Sequence, residues 1–219
     1  MGTIEMAPNV KFLEALAAVA DTSPGPIVLP WPIPGNPGGF ISFANFAEWQ
    51  AFVLRLGLPD DVPQVLSHKF ERAQKQYLLA WIDRDFIKAG ELAALIALEY
   101  AVKDRYGHKA PKPNKKKKMS DLKVETAPFA DLLKFMVEHD GLTNERIPMI
   151  RSCNNPAAKG VEFLTGELRP SLADRRNSAA HGDPFDGSPI GGLLELVRDL
   201  IEYAYRDWIA EARSARGEP

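Results

Sequence analysis

One cysteine, Cys153, and four histidines are this 219-residue chain's whole supply of thiol and imidazole. A lone cysteine excludes a disulfide framework and a thiolate metal site. His68, His108, His139 and His181 include no two spaced as a zinc pair on one helix. Neither a metal nor any other cofactor is therefore expected. No run approaches the roughly 18–20 apolar residues needed to span a bilayer. The opening MGTIEMAPNV has no basic region leading into an apolar core. A cytoplasmic protein with no membrane association is the expectation. Strand character is scarce too, since no stretch alternates polar with β-branched residues. An excess of one charge is also missing: the net charge of −2 argues against coating nucleic acid through a bulk field.

What is present suits a folded domain: 45% of residues are hydrophobic and 26% charged. Charge is local. From Lys109 to Lys123 the chain reads KAPKPNKKKKMSDLK, seven lysines against one aspartate. This segment, with its Lys115–Lys118 run, reads first as a solvated loop. Its sharper reading is a salt-dependent, sequence-blind hook for RNA or DNA. The first 60 residues stand apart. A short apolar helix in KFLEALAAVA precedes SPGPIVLPWPIPGNPGG, whose six prolines forbid helix interiors and central strands. An extended arm is expected there, lying on apolar surface through Ile27, Trp31 and Ile33. Asn45, three residues before Glu48, resembles a capping box for FAEWQAFVLRLGL, which is expected to stop at Gly57.

Beyond Asp61 the pattern is helical. Phe70 to Tyr106 reads as one helix of roughly 55 Å at 1.5 Å per residue, with Gly90 as its bend. Leu78, Ile82, Phe86, Ala89, Leu92, Ile96 and Tyr100 recur at steps of three and four, the spacing of a buried stripe. Thr126 and Pro128 open PFADLLKFMVEH, closed by Gly141. Residues 142–169 hold one short helix near 156–164. Pro170 opens SLADRRNSAAH, stopped by Gly182 and Pro184. Ser188 and Pro189 start a last helix whose stripe is Leu193, Leu196, Val197, Leu200, Ala204 and Trp208. The expected architecture is an all-α bundle of four to five helices over 61–215, with a Pro/Gly-rich N-terminal extension over 1–60.

Residues 175–184, RRNSAAHGDP, carry the chemistry. Asn177 and His181 are i, i+4 and share one helical face. Arg176 and His181 are i, i+5, roughly 140° apart around the axis at 3.6 residues per turn. They diverge unless the last turn unwinds or Arg176 reaches across. Two such segments facing each other would interleave arginines and histidines around one cleft, so the spacing suits a homodimer better than a site within one chain. At a helix C-terminus the dipole favours the imidazolium, a proton donor for a leaving 5′-oxygen. The neutral ring would instead accept a proton from a 2′-hydroxyl. Arg176 or Arg175 offers a planar fork for the phosphate, and Asn177 can bond His181 or the phosphate. Ser178 and Asp183 complete the substrate side, Asp183 as a helix cap or ribose contact. The bland alternative makes all of these ordinary helix-end residues.

The order Arg176-Asn177-Ser178-Ala179-Ala180-His181, just before the last helix of an all-α bundle, resembles the HEPN superfamily. ALEYAVKDRYG also resembles the amphipathic first core helix of such domains. The resemblance covers roughly residues 65–213. It implies a homodimer whose Arg/His pairs cleave RNA without metal, with the 2′-hydroxyl as nucleophile. Toxin or phage-defence roles follow from it, with a separate antitoxin protein as a further partner. It also implies that an acid on the first core helix, Glu99 or Glu91, positions Arg176. Some members lack activity, so the alternative is a non-catalytic helical module binding nucleotide, RNA or a partner protein.

Overall fold

The computed structural model describes residues 10–20, 25–109, 127–182 and 188–217. Asp183, Pro184, Thr126 and the Lys115–Lys118 run lie outside the described residues. A first helix, α1 (Val10–Ala20), leads into a hairpin of β1 (Ile27–Pro30) and β2 (Phe40–Phe43). Then come α2 (Phe46–Arg55), α3 (Gln64–Leu79), α4 (Phe86–Tyr106) and α5 (Phe129–Glu138). A 3-10 turn at Asn144–Arg146 precedes α6 (Pro148–Cys153), α7 (Val161–Thr165), α8 (Leu172–Ala180), α9 (Leu193–Ala204) and α10 (Arg206–Ala215). The described chain is thus mostly helical, divided more finely than four or five helices. None of these helices is long and apolar enough to cross a membrane.

The Pro-rich arm corrects one expectation, because it contains strands. Ile27 pairs with Phe43 and Pro30 with Phe40 in antiparallel register. A two-stranded ribbon has only edge strands, the setting in which proline's missing N–H costs nothing. Ile27, Leu29, Trp31 and Phe43 turn inward and join one hydrophobic core with Trp49, Tyr77, Leu98 and Leu200. Trp49 is fully buried, packs against Phe43 and Phe52, and donates from Nε1 to the Tyr77 carbonyl at 2.8 Å. The Asn45 cap forms as its sequence requires, its side chain accepting from Glu48 N at 3.0 Å.

The expected 55 Å helix is instead a hairpin. Helices α3 and α4 are separated at Ala80–Asp85, and α4 continues through Gly90 without a break. Tertiary anchors explain the break. Trp81 is buried and donates to the Ala20 carbonyl at 3.1 Å. Arg84 donates to the carbonyls of Ala80, Gly25 and Pro26. Lys69 lies over Tyr100 and Tyr77 lies against Gly90, so the two helices run antiparallel. Gly90 is the close-approach point: a Cβ there would meet Tyr77 Cδ2 at 2.5 Å, and that ring is buried. Gly90→Ala is therefore expected to lower stability by about 1–3 kcal/mol through overpacking, measurable as a shift in the urea midpoint. A neutral result would mean that the α3–α4 pair relaxes freely.

The buried face of α4 is also not the expected one. Ile87, Ala94, Leu95, Leu98, Ala101 and Val102 face the core, while Ile82 and Ile96 are exposed. The helix is apolar around most of its circumference, so spacing alone admits two stripes. Residues 142–169 hold two short helices, α6 and α7, rather than one. Buried Asp199 sets the start of α6, its Oδ2 accepting from Met149 N at 2.7 Å. The last helix breaks at Tyr205, whose hydroxyl donates to Asp104 at 2.6 Å. Trp208 leaves the expected stripe and is 45% exposed, with its Nε1 on the Asp61 carbonyl.

Candidate functional site

Local chemistry fixes both ends of α8. At its start Ser171 and Asp174 form a capping box: Ser171 Oγ accepts from Asp174 N at 3.1 Å, and Asp174 Oδ2 accepts from Ser171 N at 2.9 Å. Arg169 adds an ion pair to Asp174 at 2.5 Å. Leu172 and Ala173 then bury the first turn. At the far end His181 caps the helix, its backbone N–H donating to the carbonyls of Asn177 and Ser178. Gly182 follows with φ +70°, the left-handed turn that ends helices. Between these points Asn177, Ser178 and Ala180 are exposed, and so is His181. The motif thus lies on a helix held at its base and open along its last two turns.

Arg176 reaches onto α4. Its Nη2 pairs with Glu99 Oε2 at 2.5 Å, and its Nη1 donates to Asn177 Oδ1 at 3.1 Å. No hydrogen bond or ion pair links Arg176 to the His181 side chain among the described residues. Asn177 accordingly bonds Arg176 rather than His181. Arg175 and Arg176 each bury an Nε without a partner, so both guanidiniums keep unused donor capacity. Side-chain exposure is 27% for Arg176 and 12% for Glu99, which places the carboxylate beneath the guanidinium.

The two candidate acids separate cleanly. Glu99 reaches Arg176. Glu91 does not: it is 2% exposed, accepts from Lys88 Nζ at 2.7 Å, and accepts from Ile190 N ahead of α9. Its role is to hold that incoming segment, because a buried carboxylate needs donors and finds them there. Burial pushes the Glu99 carboxyl up, but Lys103 and Arg176 outweigh it and hold it below the ordinary carboxylate range. The folded value being depressed, this contribution to stability is present at neutral pH and is lost as pH falls through that lowered range.

Lys103, absent from the sequence-level candidates, pairs with Glu99 Oε1 at 2.5 Å. The spacing Glu99-x-x-x-Lys103 was the available signal, since i, i+4 Glu–Lys pairs meet on one face. His139 caps α5 and packs against Phe135 with ring centroids 4.9 Å apart and planes tilted by 34°, beside a shallow cleft of about 210 Å³. It stands apart from the α8 cluster in sequence and contacts. No family model, no curated protein and no solved structure matches this chain.

Proposed function

We propose that this chain is a metal-independent endoribonuclease of HEPN type, acting as a cytoplasmic homodimer in a toxin or phage-defence setting. The observation that carries the reading is Arg176 of α8 paired with Glu99, with an exposed His181 capping the end of α8. The chemistry follows from the groups. A ribose 2′-oxygen attacks the neighbouring phosphorus as its proton passes to a neutral imidazole. The bond from phosphorus to the 5′-oxygen breaks, and an imidazolium supplies that oxygen's proton. The products carry a 2′,3′-cyclic phosphate and a 5′-hydroxyl. Arg176 stabilises charge on the non-bridging oxygens, and Glu99 keeps its fork oriented. Arg175, Asn177 and Ser178 flank Arg176 along α8 and serve substrate binding.

Homodimerisation is supported by what one protomer leaves incomplete. Arg176 is turned toward α4 and His181 toward solvent, so a facing copy would bring a second Arg176 to each His181. The small residues Ser178, Ala179 and Ala180 permit close approach. Ile96, 45% exposed and three residues before Glu99, extends the surface with apolar area. By analogy with toxins, a separate antitoxin protein restrains the enzyme.

Purified protein incubated with RNA in EDTA is expected to yield shortened fragments ending in 2′,3′-cyclic phosphate. RNA bound at full length would assign the surface to a non-catalytic module instead. Co-refolding the Arg176→Ala and His181→Ala proteins is expected to restore about a quarter of wild-type activity, because random pairing gives heterodimers with one intact Arg/His pair. Recovery no greater than either variant alone would put both residues' work within one chain.

A further inference from the structure

Arg176 is not the sole cation that Glu99 holds. Lys103, one turn further along α4, takes the other carboxylate oxygen, with both ion pairs at 2.5 Å. Two cations on the two oxygens of one carboxylate are necessarily close neighbours. They are also layered: Glu99 is 12% exposed, while Arg176 is 27% and Lys103 38% exposed. The carboxylate lies underneath, and Arg176 and Lys103 are the more exposed partners. The cluster carries one net positive charge before His181 is counted. An ammonium has three donors, of which Glu99 engages one, leaving the others for an incoming oxygen. A phosphate that docks on Arg176 therefore has a second, pre-oriented cation beside it, a turn along α4.

We propose that Lys103 is a substrate-binding residue of this site, holding the phosphate next to the one that Arg176 holds on a single-stranded RNA. The assignment rests on the ribonuclease reading above and adds a direction to it: the strand leaves α8 along α4. Lys103 binds ground state and transition state alike, whereas Arg176 acts where charge develops. Its loss accordingly falls on KM, and the loss of Arg176 on kcat.

The test is steady-state cleavage of a single-stranded RNA by the dimer over a series of salt concentrations. Lys103→Ala is expected to raise KM about tenfold, the loss of one charge-assisted contact. The plot of log affinity against log salt is expected to become shallower by about 0.7, one phosphate contact on a single strand. Lys103→Arg is expected to restore both, since it keeps the charge and donors. A helix-surface role alone would move neither the slope nor KM. Unchanged KM and slope in an active Lys103→Ala enzyme would overturn the assignment and leave the ribonuclease reading standing. A loss confined to kcat would also overturn it, making Lys103 a support for Arg176. Wild-type protein that neither binds nor cleaves RNA would remove both.

Discussion

His181→Ala is expected to slow RNA cleavage by about 10²–10⁴-fold, the usual contribution of a positioned general acid or base. Helix content and Tm are expected to stay unchanged. The separation of activity from stability follows from where His181 sits. Its side chain is exposed, and the bonds that end α8 come from its backbone N–H, which alanine retains. Arg176→Ala is expected to lower kcat by about 10²–10³-fold, the range for removing a donor aimed at developing charge. Its cost to the fold is small because Glu99 keeps Lys103. Arg176→Lys is expected not to rescue, since a point charge cannot reproduce the fork that spans Glu99, Asn177 and a phosphate. Gel-based RNA cleavage alongside circular dichroism checks all three. Wild-type rates in either alanine variant would remove this segment as the catalytic site.

The largest expected loss of stability comes from a residue in the first 60. Trp49→Ala is expected to cost roughly 3–5 kcal/mol, as large-to-small changes in a closed core do. Trp49 is fully buried between β2, α2 and α3, with Phe43, Phe52 and Tyr77 around its ring. No neighbour can collapse into the volume without breaking another aromatic contact. Its Nε1 also satisfies the Tyr77 carbonyl. Trp49→Phe keeps much of the volume and is expected to cost about 1–3 kcal/mol for the donor alone. Urea denaturation measures both. A loss well under 1 kcal/mol for the alanine variant would show the hairpin and α2 to be an appendage with its own loose packing.

Local signals in the chain proved readable where the physics is local. Asn45 caps α2 through a bond to a backbone three residues away, and Pro170 and Gly182, the start and stop signals of α8, stand immediately outside its caps Ser171 and His181. Each motif closes on itself, so its residues suffice to place it. The pairing of Glu99 with Arg176 was half legible: an acid on the preceding long helix was expected, but Glu91 and Glu99 were equivalent candidates. They lie eight residues apart, and only the position of α8 against α4 selected one. The hairpin was missed because six prolines suppress the usual strand pattern, and an edge ribbon tolerates them.

The stripe on α4 shows where sequence periodicity stops deciding. Phe86, Ala89, Leu92, Ile96 and Tyr100 have helical spacing, and so do Ile87, Ala94, Leu98 and Ala101. Both sets satisfy a period of 3.6, and the second is buried because α3 folds back across Gly90 and α9 packs on α4 as well. By itself the sequence determined a helical chain, the ends of its capped helices and the order of groups in RRNSAAH. These depend on contacts spanning a few residues. Tertiary structure alone decided which face of α4 is buried, which carboxylate meets Arg176, and that Lys103 stands beside it. Those outcomes depend on helices distant in sequence arriving at one place, and no local spacing encodes that arrival.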